Sequence, residues 1–410
     1  MDQENVLPHL FRTEYHKIIS VLCKLFGFEH IETAEDIVSE TFLMAAETWG
    51  IQGLPENPTA WLYTVSKNKT RDYLRRSNLF AQKIIPEIKE NSRITSDIIE
   101  IDLSGKNISD SQLQMMFAIC HPCISTEAQI ALSLNILCGF GAEEIANALL
   151  TNRDAIYKKL VRAKKQLAAE MVKIQLPPSS EIENRLETVL TTLYLLFSEG
   201  YYSTSQNNTL RKELCVEAMR LNLMLLENES TNTPDANALL SLMCFHSSRF
   251  EARINLQGGM ILYGDQDERL WNRELIEKGT FYLNKSSAGN KLSKYHLEAA
   301  IAYWHTHKED TAIKWEQILQ LYNKLLQIEY SPLAALNRTY ALSKANSTEE
   351  AIYEAEKLGL VNNHFYYTLL GELYRSIDKV KARHQFETAL NLAKTLNDKR
   401  TIQDKIDSLI

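Results

Sequence analysis

Residues 142–168 read AEEIANALLTNRDAIYKKLVRAKKQLA, and this stretch indicates how the chain folds. Apolar residues recur at helical spacing on both sides of a short polar turn at 151–154, which predicts one buried face. They are Ile145, Leu149, Ile156, Leu160 and Leu167. The pattern predicts two helices that pack against each other across a tight turn, a helix-turn-helix arrangement.

The second helix of this pair is strongly basic. Between residues 152 and 167 it holds six basic residues and one acid, and the basic residues lie mostly off the apolar face. A basic helix after a tight turn fits the DNA major groove, where its side chains reach base edges and phosphates. The candidate DNA-binding residues are Arg153, Tyr157, Lys158, Lys159, Arg162 and Lys164. An ordinary helical hairpin with a solvated basic face is the alternative.

A second basic helix is predicted at 57–76, NPTAWLYTVSKNKTRDYLRR, where Pro58 suits the first helical turn. Residues 61–76 hold five basic residues against one acid, Asp72. A basic face beside aromatic rings suits single-stranded or melted DNA, because nucleotide bases stack on the rings while cationic side chains bind the phosphates. The candidates are Trp61, Lys67, Asn68, Arg71, Arg75 and Arg76. A solvated basic face is again the alternative.

Further upstream, AEDIVSETF (34–42) predicts a helix with an acidic strip. Glu35, Asp36 and Glu40 lie on the strip, whereas Ile37 and Phe42 point the other way. Taken alone, this motif favours an ordinary solvated amphipathic helix.

The composition is typical of a globular, mostly helical protein. The chain has 410 residues, 45% of them hydrophobic, with only 14 glycines and 9 prolines. This length suits two to four domains, and so few turn-forming residues favour long helices. Because the net charge is -7, DNA binding would depend on the two local basic clusters. Six scattered cysteines, no apolar stretch of membrane-spanning length and no secretory signal pattern predict a cytoplasmic location.

We predict an all-α fold with four segments. Residues 1–78 form a helical bundle, 79–112 a loosely packed acidic linker, 113–176 a domain ending in the helix-turn-helix, and 180–410 a helical extension. In the extension, two similar motifs begin at Asn337 and Gly371, 34 residues apart, which is the period of tetratricopeptide (TPR) repeats. Stacked helix pairs of this kind form an α-solenoid.

Together these motifs resemble the extracytoplasmic-function (ECF) sigma factors of the sigma-70 family, promoter-recognition subunits of bacterial RNA polymerase. AEDIVSETFLMA (34–45) and 57–76 resemble their region 2, and GFGAEEIANALLTNRDAIYKKLVRAKKQL (139–167) resembles their region 4. The likeness extends along essentially the whole chain, because five further stretches resemble a subgroup with a long C-terminal TPR-like extension. These are MFAICHPCIS (116–125), LYLLFSEGYYST (193–204), LCVEAMRLNLML (214–225), GDQDERLWN (264–272) and SPLAALNRTYAL (331–342).

The resemblance implies roles for the candidate residues. The helix that docks on the clamp coiled coil of the polymerase largest subunit is matched by Glu35, Asp36, Glu40 and Phe42. The candidates in 57–76 match the surface that reads and melts the −10 promoter element, and the −35 recognition helix is matched by Tyr157, Lys158, Lys159 and Arg162. One departure is that Asn152-Arg153 and Ala155 stand where the family usually has Pro-Glu and Thr.

Such a protein catalyses no reaction and needs no cofactor. The resemblance implies core RNA polymerase and promoter DNA as partners, and a protein or peptide on the TPR-like extension. A fused extension of this length also suggests regulation in cis. Two alternatives remain. One is a helix-turn-helix regulator that binds duplex DNA as a dimer without polymerase, but such a protein has no need of residues 30–76. The other is a TPR scaffold, which would need neither basic helix.

Metal sites are weaker candidates. Cys120-His121-Pro122-Cys123 has no second cysteine pair at zinc spacing, so a contact between helix and turn is favoured. His296, His305 and His307 do not share one helix face, which favours solvated or packed histidines. The acidic stretch 265–268 lacks the spacing of a calcium-binding EF-hand and indicates a capped turn.

Overall fold

A computed structural model of the chain describes residues 3–76, 101–149, 151–202, 208–253, 261 and 263–409. Every regular element in these ranges is a helix, which agrees with the predicted all-α fold. None of the described helices is both long enough and apolar enough to cross a membrane. The chain divides into two compact units, residues 1–200 with 227–231 and residues 201–226 with 232–410.

The first unit is built from seven α-helices and most of an eighth. They are α1 (Gln3–Phe26), α2 (Ile31–Gln52), α3 (Pro58–Arg76), α4 (Gly105–Ile119), α5 (Thr126–Leu132), α6 (Ala142–Ala148), α7 (Arg153–Ala169) and α8 (Ile182–Tyr202). Helices α1, α2 and α3 pack together around fully buried side chains such as Ile18, Leu22 and Leu62. Gly53, with a φ of 80°, ends α2 at a conformation that favours glycine.

Part of the predicted linker is packed rather than loose. Residues 79–100 lie outside the described residues, but Ile101 and Leu103 are buried at 3% and 5% exposure. Ser104 then caps α4, which packs against α1. The prediction for 101–112 was wrong because it rested on overall acidity. The acid Asp102 is exposed and accepts from Ser104 N (2.8 Å), while the apolar residues beside it face the core.

The first unit also extends past the predicted boundary at 176. The Thr192 hydroxyl on α8 donates to Gln129 Oε1 (3.0 Å), and Gln129 is 2% exposed. Arg185 on the same helix donates to the Phe117 carbonyl (2.6 Å). Residues 182–200 are therefore part of the core of the first unit.

The second unit is a succession of helices, most of which pack against the next helix along the chain. They are α9 (Asn208–Leu226), α10 (Pro234–Ser248), α11 (Arg273–Ser286), α12 (Lys294–Trp304), α13 (Ala312–Ile328), α14 (Pro332–Ala345), α15 (Thr348–Leu358), α16 (His364–Tyr374), α17 (Lys379–Leu392) and α18 (Leu396–Asp407). One apolar cluster joins residues of α12 to α16, and another joins α17 and α18. This succession is consistent with an α-solenoid.

Small residues allow close helix packing in the second unit. Ala351, Ala355, Ala382 and Ala389 are all 0% exposed and occupy packing positions, and Ala355 and Ala389 lie 34 residues apart. Gly371 lies against the ring of Phe386, where even a Cβ atom would lie 2.6 Å from the ring carbons.

Candidate nucleic-acid interface

Helices α6 and α7 form the predicted pair across a tight turn. Ile145, Ile156 and Leu167 are between 0% and 1% exposed and form the shared core. The side chain of Asn152 accepts from Ala155 N (2.8 Å) and caps α7. The residues that depart from the sigma-factor pattern at this turn therefore still produce a capped helix start.

One face of α7 is exposed and basic. Its exposed members are Arg153, Asp154, Tyr157, Lys158, Arg162 and Lys165. Lys165 was not among the predicted contacts, although its spacing of three residues from Arg162 places it on the same face. Lys159 lies at the edge of this face, where it pairs with Glu127 (2.7 Å).

A groove of about 570 Å³ runs beside this face. Its lining includes Ile124, Ser125, Asn152, Lys158, Arg162 and Gln166. Lys158 and Arg162 are one helical turn apart, so the two cations lie on the same side of α7 and both face an open cleft. Phosphate oxygens or base edges are chemically suited to such a lining.

Lys164 does not belong to the exposed face. Its side chain is 14% exposed, and its ammonium group donates to Glu35 Oε1 on α2 (2.5 Å). The predicted DNA contact is corrected here, because position 164 lies on the side of α7 that packs against the 3-10 turn Phe28–His30 before α2. Glu35, whose side chain is 24% exposed, is held in the same ion pair.

The acidic strip on α2 is otherwise solvent-exposed. Asp36 and Glu40 are exposed, and Glu40 pairs with Lys69 of α3 (2.8 Å). Next to this strip the side chains of Leu43 and Met44 are 60% and 40% exposed. These two apolar residues on one exposed helix face were missed in the sequence, although exposed apolar groups beside charges are typical of protein-docking surfaces.

Phe42 is buried rather than available for docking. It is 5% exposed and packs edge-on against Phe11 at 5.0 Å between ring centroids. Tyr15 completes the aromatic cluster at 6.2 Å from Phe42. The predicted docking role of Phe42 is therefore corrected to packing between α1 and α2, which follows from its place on the inner face of α2.

On α3, the predicted DNA-binding residues differ in exposure. Asn68, Arg75 and Arg76 are exposed, whereas Lys67 and Arg71 are partly buried. Trp61 is also partly buried, because it packs edge-on against Trp49 with 5.3 Å between ring centroids. On α3, the basic side chains Arg75 and Arg76 are therefore more exposed to solvent than the indole ring of Trp61.

A buried hydrogen bond fixes α3 against α1. The Tyr63 hydroxyl donates to Glu14 Oε2 (2.6 Å), and Glu14 is 7% exposed. Lys17 pairs with the other oxygen of Glu14 at 2.8 Å. Burial raises the pKa of Tyr63, and the Glu14 carboxylate raises it further, so the phenol stays protonated and donating. This contact sets the position of the basic α3 helix.

Further contacts hold the N-terminal helices to the α6–α7 pair. Arg12 on α1 pairs with Glu144 on α6 (2.8 Å), and its guanidinium lies 5.0 Å from the centre of the Phe140 ring. The Glu35–Lys164 pair adds a contact between α2 and α7. Both basic helices thus belong to one packed unit rather than to two separate domains.

The Cys-x-x-Cys motif forms a turn contact. Cys123 N donates to His121 Nδ1 (3.2 Å), so the imidazole is engaged with the backbone. Burial raises the pKa of the Cys120 thiol to about 11 and raises that of Cys123 as well, which keeps both thiols protonated. Within the described ranges, no three His, Cys, Asp or Glu side chains are grouped so that they could hold a metal ion.

The acidic turn and one histidine from the extension also have structural partners. Asp267 accepts from Arg269 N (3.0 Å) and pairs with the Arg269 guanidinium, which forms the capped turn that we expected. His296 is 8% exposed, with Nδ1 near the Ser293 hydroxyl (2.9 Å) and Nε2 near the Ser286 carbonyl (3.1 Å). It is a packed histidine at a helix start.

Comparisons with known proteins agree with part of this description. Residues 10–79 match Sigma-70 region 2, which covers α1, α2 and α3. Residues 185–287 match a family of unknown function, DUF6596. An uncharacterized protein of Rhizobium meliloti (strain 1021) is 31% identical over 390 residues, which cover 93% of this chain and 91% of that protein. No solved structure matches the chain.

Proposed function

Because the chain belongs to one family with the Rhizobium meliloti protein and carries a sigma-70 region 2, we propose that it is an ECF-type alternative sigma factor. In this role it directs core RNA polymerase to a promoter and helps to open the DNA. It catalyses no reaction itself, and it acts in the cytoplasm, where the polymerase works. The observation that carries this proposal is the presence of region 2 and an exposed basic α7 face in one packed unit.

The proposed polymerase-docking surface is the exposed side of α2. Asp36 and Glu40 supply the charges, and the exposed side chains of Leu43 and Met44 supply apolar contact area. Phe42 is left out because it is buried. Charged and apolar groups on one helix face suit docking on the clamp coiled coil of the polymerase, because complementary charges steer an encounter and apolar burial stabilises the complex.

The proposed promoter contacts use the exposed cations. On α3, Asn68, Arg75 and Arg76 are exposed and suit the −10 element, with Lys67 and Arg71 at the edge of that face. On α7 the proposed −35 contacts are Arg153, Tyr157, Lys158 and Arg162, with Lys165 added, Lys159 at the edge of the face and Lys164 removed. A single lost base-edge contact is expected to cost about 1–3 kcal/mol of binding.

The Glu35–Lys164 pair suggests how docking and DNA binding are coupled. Glu35 lies next to the proposed docking surface, and Lys164 lies on the proposed recognition helix. A polymerase that uses Glu35 has to displace Lys164, which removes one of the contacts between α2 and α7. We therefore propose that the packed arrangement of the first unit is the polymerase-free state.

The second unit is proposed to be a TPR-like interaction and regulatory domain. Its consecutive packed helices, the motifs at Asn337 and Gly371 and the buried pair Ala355 and Ala389 fit a 34-residue period. A helical-repeat stack presents an extended surface that suits a protein or peptide partner. Regulation in cis is tested by comparing promoter-specific transcription by the full chain and by residues 1–202. Equal activity of the two would remove the regulatory role and leave an interaction module.

A pull-down with core RNA polymerase tests the main proposal. The full chain is expected to bind core enzyme, and the double variant Asp36→Arg with Glu40→Arg is expected to bind less while its helix content is unchanged, since exposed substitutions cost little stability. A matched control is Glu187→Arg on α8, an exposed acid of the same unit that lies outside α2.

Each outcome separates the proposal from its alternatives. A helix-turn-helix regulator would bind duplex DNA but not core enzyme, and a TPR scaffold would bind neither. If the double variant and the control bind core enzyme equally well, the α2 docking surface is wrong.

A further inference from the structure

The second unit contains a buried cluster of cationic and aromatic side chains around Tyr263, and it shares no residue with the proposed docking and promoter surfaces. The Arg249 guanidinium lies 5.5 Å and the Lys314 ammonium 5.0 Å from the centre of the Tyr263 ring. Trp271 stacks on the same ring at 6.3 Å, and His305 meets it edge-on at 5.1 Å. Four side chains from different parts of the sequence therefore converge on one phenol.

The two cations of this cluster are removed from solvent. Arg249 is 8% exposed and Lys314 is 2% exposed. Lys314 Nζ donates to Tyr263 Oη (2.9 Å) and to the His307 carbonyl (2.5 Å), but neither cation forms an ion pair with a residue that the structure describes. Burying a cation without a counter-charge is costly, so the cluster as it stands lacks a negative group.

The carboxylate that acts on Lys314 does not fill this role. Asp310 already accepts from the Trp315 indole and pairs with Lys344 (3.0 Å), so its charge is shared with another cation. Burial lowers the pKa of Lys314, and Asp310 only partly opposes this, while Arg249 and Lys344 lower it further. Glu268 also acts on Tyr263, but it forms no ion pair with Arg249 or Lys314 in the described part of the chain. The cluster and its electrostatic neighbours therefore include three cations, Arg249, Lys314 and Lys344, and two carboxylates, Asp310 and Glu268, which leaves the local charge balance positive.

Several polar atoms of the cluster also lack a partner. Arg249 Nε, Trp271 Nε1 and His305 Nδ1 are buried without a hydrogen-bond partner in the described part of the chain. Guanidinium and indole N–H groups can only donate, so whatever completes the cluster has to accept.

We propose that this cluster binds the oxyanion group, a carboxylate or a phosphate, of a small molecule. Two buried cations would supply the opposite charge, and the guanidinium and indole N–H groups would donate to its oxygens. Tyr263 would line the site, because its ring already contacts both cations. The inference does not rest on the sigma-factor role, and it gives the second unit a ligand-sensing function of its own.

Ordered water is the competing explanation for the unpartnered atoms. Water satisfies buried donors and acceptors in many proteins, but it brings no negative charge. The two explanations therefore differ in one measurable property. A bound oxyanion gives a saturable response that depends on the cluster, whereas the general stabilisation of folded proteins by phosphate rises without saturation and does not depend on the cluster.

The test follows thermal unfolding of the full chain in increasing sodium phosphate and, separately, sodium acetate. Each series is compared with sodium chloride at equal ionic strength. An anion that binds only the folded chain raises the unfolding temperature in a saturable way. A rise with phosphate alone assigns a phosphate group, and a rise with acetate alone assigns a carboxylate. No rise over chloride with either anion overturns the proposal.

Three variants locate the effect. Arg249→Gln is expected to abolish the anion-dependent rise, and Trp271→Phe, which removes one donor without changing charge, is expected to reduce it. Arg269→Gln is the control, because this arginine is 87% exposed and already paired with Asp267, and it should keep the wild-type rise. If Arg249→Gln does not fold, the anion-dependent rise in the unfolding temperature of Trp271→Phe decides whether the site exists. A rise that the cluster variants retain in full refutes the site.

Discussion

Reversing the charge of Lys164 is expected to loosen α7 from α2. The ammonium of Lys164 lies 2.5 Å from Glu35 Oε1, and the side chains are 14% and 24% exposed. Exposed ion pairs contribute about 0.2–1 kcal/mol, whereas removing one partner of a buried pair costs about 3–5 kcal/mol. This partly buried pair lies between these limits, so Lys164→Glu is expected to cost about 1–3 kcal/mol of α7 packing.

Hydrogen exchange of the α7 amides in the full chain measures this cost, because faster exchange reports a smaller free energy of local opening. Lys164→Glu should accelerate exchange across α7, and the swapped double variant Glu35→Lys with Lys164→Glu should restore most of the protection. Lys165→Glu is the matched control, since it makes the same charge change at the next position, where the side chain is exposed.

The same variant tests the proposed competition for Glu35. If polymerase docking has to break the Glu35–Lys164 pair, loosening that pair should strengthen binding to core enzyme. A coupling of about 1–3 kcal/mol corresponds to about 5- to 150-fold in affinity. The reasoning is refuted if Lys164→Glu and Lys165→Glu exchange equally fast, or if the charge swap recovers no protection.

Three further predictions concern packing. Gly371→Ala should destabilise the second unit by about 1–3 kcal/mol in urea unfolding, because its Cβ would meet the buried Phe386 ring and overpacking outweighs the gain in helix propensity. Gly50→Ala is the opposite case, since nothing lies within 4 Å of its Cβ, and a gain of up to about 1 kcal/mol is expected. Residues 1–175 should unfold at a lower temperature than residues 1–202, because only the longer fragment retains the helix that satisfies the buried side chain of Gln129; equal unfolding temperatures would contradict that packing role.

Much of the fold follows from periodicity in the sequence. The apolar spacing at 145–167 predicts the α6–α7 pair, because residues three and four apart share one helix face. In the extension, Ala355 and Ala389 lie 34 residues apart and are both fully buried, as a repeat of that period predicts. Both predictions depend only on local geometry, which a sequence records directly.

The errors arise where a role depends on tertiary contacts. Lys164 looks like its basic neighbours, and only the packing of α7 against α2 shows that it faces Glu35. Phe42 lies in a motif with a docking role, but that role belongs to the helix and not to every side chain on it. The cluster around Tyr263 is not visible in the sequence, because its members are spread over residues 249–314 and carry no regular spacing.

The ion pairs of the first unit explain how an acidic chain can still present basic surfaces. Each basic helix has a lysine that pairs with an acid on another helix of the unit. Lys69 of α3 pairs with Glu40 of α2, and Lys159 of α7 pairs with Glu127 of α5. These pairs occupy cations at the edges of the two faces, while the remaining exposed bases stay in water. Because phosphate binding depends on local rather than net charge, a net charge of -7 does not exclude the proposed promoter contacts along these two faces. The excess acid lies elsewhere, and on α2 it forms the surface proposed to bind polymerase.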